Sequence, residues 1–342
     1  MDIRFSRLAA LVMLVLLAAC GAGGNDEPAR TQMVQPRIKQ VGTKASDYAT
    51  VVQQLYIAYF GRPADPSGLA NFESQLLLLG APTDVADLAN AYKTNAAIAK
   101  LIDSFGLSTE SQNLYGSTGT AQFVASIFTN VLGRQPLSAG SDFWVDAINS
   151  GATSKGNAAL SIMAGAFGNS SAQAQIDVAL INNRISVAAN FTSEVSSLNA
   201  TASYAGSAAA QSARQMLAQV NSSVTVSLQQ MVTVIEGLIS SALQAYAGSY
   251  CGTVSGTYSG TVDLTLTSNG GSTFSVTGTV YADGQTIPIQ GQTIPPALGV
   301  VLECTTGQCG YVTGTITTSG ITGSYSIING AQGNISLSHS CQ

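Results

Sequence analysis

Two arginines, Arg62 and Arg134, are the residues best placed to do chemistry, each following a glycine at the end of an aromatic-rich helical stripe. A guanidinium beside an aromatic face, Tyr59 in the first case and Trp144 in the second, can hydrogen-bond to and stack with a sugar or a carboxylate. The plainer role is structural: bonding the last carbonyls of the helix or pairing with an acid. Four acids offer a rival chemistry. Asp142 and Asp146 stand at i, i+4 spacing, and Asp65 and Glu73 flank a helix start. Two carboxyl groups about 5 to 10 Å apart suffice to hydrolyse a glycosidic bond, but acids in a first helical turn are also stabilised by its dipole alone. The single histidine, His339, lies in strand-like sequence, where it reads as a strand or surface residue. No Gly-x-Ser-x-Gly elbow, phosphate-cradling Gly-rich loop, His-Glu-x-x-His pair or dinucleotide fingerprint is present. No cofactor is expected.

The cysteines carry a second kind of chemistry. Setting Cys20 aside leaves Cys251, Cys304, Cys309 and Cys341, an even number confined to the last third of the chain. In an exported protein this reads as two disulfides. Of the three connectivities the preferred one joins Cys304 to Cys309 around a tight loop and Cys251 to Cys341 across the domain. Zinc is the weaker reading, because no CxxC pair occurs and histidine appears once; no metal is expected.

Export is argued from the first twenty residues. Arg4 and Arg7 precede an apolar run, Leu8 to Leu17, too short to span a bilayer. The run ends in Leu17-Ala18-Ala19-Cys20-Gly21, which resembles the lipobox of bacterial lipoprotein signal peptides. The resemblance implies that residues 1–19 are removed and that Cys20 carries lipid, more than enough for stable anchoring. Gly21 in place of an aspartate would favour the outer membrane, on either its periplasmic or its outer face. Charged residues make up 9% of the chain, with 13 Lys and Arg against 18 Asp and Glu, so no basic field is available to hold nucleic acid.

The elements that must position these residues follow from periodicity. Residues 20–45 hold Gly21-Ala22-Gly23-Gly24, Pro28 and Pro36 with no apolar period, and are expected to form a flexible tether. From Ser46, Val51, Val52, Leu55, Tyr56, Tyr59 and Phe60 fall on one helical stripe, stopped by Gly61, Pro63 and Pro66. A second helix begins near Ser67, and others are expected at Asp84 to Tyr92 and Asn95 to Phe105. The segment Leu55 to Leu76 recurs at Ile127 to Ile148 with a constant offset of 72, pairing Gly61-Arg62 with Gly133-Arg134, Gly68 with Gly140 and Phe72 with Trp144. This predicts a duplicated helical unit over 46–192, in which Phe72 and Trp144 chiefly fill the core of each copy. Residues 193–248 form an Ala/Ser-rich connector, loose to Ser212 and helical from Ala213 to Tyr246. From 249 the period becomes two: seven short strands, the first Thr253 to Thr267, are separated by turn signals such as Asp283-Gly284 and Asn329-Gly330. The fold class is therefore α+β multidomain, an all-α duplicated helical domain followed by a C-terminal antiparallel β barrel or sandwich with disulfides.

Tyr56 to Phe72 and Phe128 to Trp144 are similar to the Leu-Gly-Arg, Pro-Asp, Gly-Leu, Tyr-Trp signature of the domain of unknown function 4214, and Asn183 to Thr192 resembles that family's continuation. The second copy departs from the signature at Leu137, where the first has Asp65. The resemblance, over Ser46 to Thr192, implies an exported surface-interaction role and no enzymatic chemistry. The expected function is a lipid-anchored, non-catalytic envelope protein that binds a surface glycan or another envelope protein. The alternatives are an envelope carbohydrate hydrolase and a structural surface-layer component.

Overall fold

The computed structural model describes residues 42–269, 272–304 and 307–341. The expected signal peptide, Cys20 and nearly all of the expected tether lie outside the described residues, as do parts of the 268–271 turn and of the Cys304–Cys309 loop. After a 3-10 turn, Ala45–Tyr48, come eleven helices: α1 Ala49–Phe60, α2 Pro66–Leu78, α3 Val85–Thr94, α4 Ala96–Leu107, α5 Thr109–Tyr115, α6 Thr120–Leu132, α7 Ser138–Asn149, α8 Lys155–Phe167, α9 Ala172–Ser197, α10 Gly206–Ala218 and α11 Leu228–Gln244. Among the described residues no helix is long and apolar enough to cross a membrane.

Helix α1 is the centre of the helical part. Its stripe of apolar residues predicts one buried face, but every residue from Val51 to Phe60 is buried, because α2, α5, α6, α8 and α9 all pack against it. A helix covered on every side must also satisfy its polar side chains. Gln53 does so by donating to Thr192 Oγ1 at 2.9 Å and accepting from the Ala64 amide at 3.0 Å.

The duplication is visible in the backbone. Gly61 and Gly133 both take left-handed conformations, φ 64° and 65°, and close α1 and α6 in the same way. Their Cα geometry suits glycine. A side chain at Gly61 would also collide with Asn130, whose amide donates to the Ala58 carbonyl and ties α6 to α1. The copies diverge where their sequences do. Asp65 caps α2 by accepting from the Gly68 amide at 2.8 Å, whereas Leu137 leaves α7 without a side-chain cap and is itself exposed.

The Ala/Ser-rich segment corrects the expectation of a loose connector. Helix α9 runs unbroken to Ser197, and Ala200, Tyr204, Ala209, Ala213, Met216 and Leu217 join the same core as α1. Alanine adds little area per residue, but its small side chain lets α10 lie close to its neighbours. The expected helix from Ala213 to Tyr246 is likewise two helices. They are separated after Ala218, and α11 starts at a capping box formed by Ser227 and Gln230.

The second core belongs to eight antiparallel strands: β1 Gly248–Gly256, β2 Gly260–Ser268, β3 Phe274–Ala282, β4 Gln285–Thr293, β5 Ala297–Cys304, β6 Gly307–Ile316, β7 Gly320–Ile327 and β8 Gln332–His339. Each pairs with the next, and β8 pairs back with β1 to close a barrel. The expected strand Thr253 to Thr267 is a hairpin, β1 and β2. Gly256 adopts φ +124° there and lies against the Gly333 backbone, where no side chain fits. Strand alternation sends Val262, Leu264 and Leu266 inward and Thr261, Asp263 and Thr265 outward. The interior is filled: its residual apolar cavity is about 20 Å³, room for about one water.

Cys251 and Cys341 form a disulfide across 90 residues, with Cα atoms 5.4 Å apart. It links β1 to the residues just after β8. Cys309 is also disulfide-bonded; the side chain of Cys304 lies outside the described residues. His339 ends β8, stacked on Tyr250 with ring centres 4.4 Å apart. Its ring nitrogens face the carbonyls of Thr318 and Ala247.

Candidate functional site

Arg62 leads to the site. Because Gly61 turns the chain, the arginine folds back beneath α1 and is 8% exposed. Nε and an Nη of its guanidinium donate to the two carboxylate oxygens of Glu110 at 2.7 and 2.6 Å, and its other Nη donates to the Pro63 carbonyl at 2.9 Å. The group lies 5.2 to 5.7 Å from the rings of Tyr56, Phe60 and Tyr204. Burial works against its charge, but the hydrogen bonds and charge of Glu110 and the contact with Tyr204 outweigh it and raise its pKa. Arg214 of α10 donates to the same Glu110 at 3.1 Å, and Asp65 stands 3.7 Å from Arg62. The result is a chain of alternating charges, Asp65, Arg62, Glu110, Arg214, along one wall of a groove of about 590 Å³ between the starts of α2, α5 and α10. Ser67, Thr109, Asn113 and Ser207 add hydroxyl and amide groups to its lining.

The second arginine makes a smaller version. Arg134 donates to Asp177 at 3.2 and 2.7 Å, and Gln173 donates to the same carboxylate. Its side chain is 36% exposed against 10% for Arg62. The adjoining cavity, about 210 Å³, is walled in part by Trp144 and Phe128.

Both arginines thus pair with acids. Tyr59 is not beside either cavity: it is 1% exposed, bonds the Gly156 carbonyl and stacks on Phe105, so a ligand has no access to it. The tyrosine in the groove is instead Tyr204, 142 residues beyond Arg62 in the chain. Phe72 packs on Phe105 with ring centres 4.2 Å apart. Asp142 and Asp146 are exposed on α7, and Glu73 lies outside the groove that holds Asp65, so the four acids singled out by spacing do not converge. Arg184, within the Asn183 to Thr192 continuation, is a buried helix cap that donates to the Thr129 and Asn130 carbonyls at the end of α6. The helix dipole offsets part of the cost of burying this cation; with no acid paired to it among the described residues, burial lowers its pKa to about 10. Among the described residues the one cluster with metal-ligating types is Cys251, Asp263 and Cys341, and both its thiols are consumed in the disulfide.

Burial also sets how the helical part responds to alkali. It pushes the phenols of Tyr115 and Tyr204 up to about 12. An acid held protonated in the fold stabilises it fully below its ordinary value, near 10, and loses that contribution as pH rises through the folded value. Helical circular dichroism during urea unfolding should therefore show stability falling between pH 10 and 12, by about 2 to 3 kcal/mol per tyrosine. A Tyr204→Phe variant should lose correspondingly less. A loss centred near pH 7 would contradict this assignment.

Residues 102–166 match the family model described as Domain of unknown function (DUF4214). The DUF4214 match runs from the middle of α4 nearly to the end of α8. It includes Gly133-Arg134 and Trp144 of the second copy, and Glu110 and Asn113 of the larger groove, but not Arg62 or Arg214. Comparison with curated proteins and with solved structures gives no match.

Sequence spacing missed Glu110, Tyr204 and Arg214. Glu110 follows the helix cap Ser108, which reads locally as a favourable first-turn charge. Nothing within a helical turn of it points to Arg62.

Proposed function

We propose that this chain is a non-catalytic binding protein of a bacterial cell envelope, tethered to the outer membrane by lipid on Cys20, and that it captures a glycan in the groove between α2, α5 and α10. The observation that carries the reading is the groove. Its volume falls in the range of small-molecule sites. Its wall alternates guanidinium, carboxylate, amide and hydroxyl groups, as the donors and acceptors of sugar hydroxyls require. Asp65 is engaged as a helix cap and Glu110 as the shared partner of two arginines, roles that serve positioning rather than turnover. Export is supported by the Cys251–Cys341 disulfide, since such bonds persist in oxidising compartments, and by the sequence from Arg4 to Cys20.

Mass spectrometry of the N-terminal peptide, in wild type and a Cys20→Ala variant, tests the tether. A glycan array probed with wild type and with Ser207→Trp tests the groove, because Ser207 is exposed in its lining and a tryptophan there fills it. Acylated Cys20 and array binding lost in Ser207→Trp are expected. An unmodified Cys20, or binding indifferent to the tryptophan, would count against the proposal.

A further inference from the structure

We propose that the second repeat carries a saccharide site of its own, a slot for one neutral sugar ring against Trp144 and Phe128; this rests on the reading of the chain as a glycan-binding protein. At the offset of 72, Tyr56, Phe60, Phe72 and Phe105 of the first copy correspond to Phe128, Leu132, Trp144 and Asp177 of the second. Helix α4, shifted by 72, overlaps the start of α9, and Ile102 and its counterpart Ala174 are buried alike. In the first copy the ring of Phe105 occupies the space between α1 and α2, with its centre 5.7, 5.8 and 4.2 Å from those of Tyr56, Phe60 and Phe72. In the second copy that position is a carboxylate. Asp177 is 5% exposed against 1% for Phe105, but its short side chain pairs with Arg134 and fills no such space. What remains is the cavity of about 210 Å³, whose lining includes all four counterparts, Phe128, Leu132, Trp144 and Asp177. The first copy thus shows that the slot is shaped for a six-membered ring, and the second leaves it open. Its walls select the ring. Trp144 and Phe128 are half-buried and offer aromatic faces to the C–H side of a sugar. Opposite chemistry comes from Asp177, which accepts two hydrogen bonds from Arg134 and one from Gln173, where a carboxylate can accept about four. Ser161 and Asn169 add a hydroxyl and an amide. A phenyl ring would use only the aromatic wall, whereas a sugar uses both. The charges of Arg134 and Asp177 cancel, which suits an uncharged sugar, and the volume lies below that of drug-sized sites, which limits the occupant to about one ring.

Trp144 is the one tryptophan of the chain, so intrinsic tryptophan fluorescence reads this slot. The full-length chain in detergent is titrated with the methyl glycosides of glucose, galactose, mannose and N-acetylglucosamine. A saturable change in emission is expected with at least one of them, half-complete at about 1 mM. Two variants close the slot. Gly165→Phe places a ring at an exposed rim position where a Cβ meets nothing within 4 Å, and Asp177→Phe gives the second copy the ring that the first one has. Each should weaken the response at least about tenfold, and Gly165→Phe, a glycine replaced inside α8, should not lower the thermal midpoint; if Asp177→Phe fails to fold, Gly165→Phe still decides. No saturable change with any of the four glycosides, or a change that survives Gly165→Phe, overturns the second site. Array binding that Ser207→Trp abolishes would then leave the glycan reading standing at the larger groove, whereas a silent Trp144 together with an empty array would strike both.

Discussion

Replacing Arg62 by methionine should cost the helical part about 3 kcal/mol, against about 1 kcal/mol for Arg134→Met. The two arginines occupy equivalent places in a duplicated turn, so sequence alone predicts equal effects. Their surroundings differ. Arg62 is nearly buried, makes a two-pronged bond to Glu110 and lies among three aromatic rings. Its removal takes the pairing charge from a half-buried carboxylate and leaves the Pro63 carbonyl to the Tyr204 hydroxyl alone. Arg214 still holds Glu110, which keeps the loss at the lower end of what breaking a buried pair costs. Arg134 is more than a third exposed, and solvent screens its bond to Asp177. Urea unfolding followed by helical circular dichroism reads both values, and equal losses would show that burial does not separate the two copies.

The second large effect belongs to the barrel. A Cys251→Ser, Cys341→Ser double variant should lose about 4 kcal/mol of barrel stability, because the bridge closes a loop of about 90 residues and restricts the unfolded chain accordingly. The bridge holds the seam where β8 returns to β1, the pairing most distant in sequence and the most costly to close. Hydrogen exchange should therefore speed up first in β1 and β8, while α1, in the other core, keeps its protection. Unchanged exchange at the seam would mean that strand pairing alone holds the barrel shut.

Much of the architecture is legible from local rules. The period-two runs of Thr and Val, broken by Asp283-Gly284 and Asn329-Gly330, announce strands and turns, and the offset of 72 announces the repeat, because both signals are complete within a short stretch of chain. The hairpin at Gly256 is not legible in the same way, since its turn carries none of the usual two-residue signals. Residues 193–212 look looser in sequence than they are for a related reason: an alanine helix shows its burial only through the neighbour it lies against.

The sequence by itself determined the two-part order of helices and strands, the turns at Gly61 and Gly133, the balance of charges and the four cysteines gathered in the last third of the chain, all properties of residue type and near spacing. Only the tertiary structure decided that Tyr59 is core and Tyr204 is site, and that Glu110 is shared by Arg62 and Arg214. Those pairings span 48 to 142 residues. A contact of that length is selected by which faces pack together, and no local periodicity encodes it.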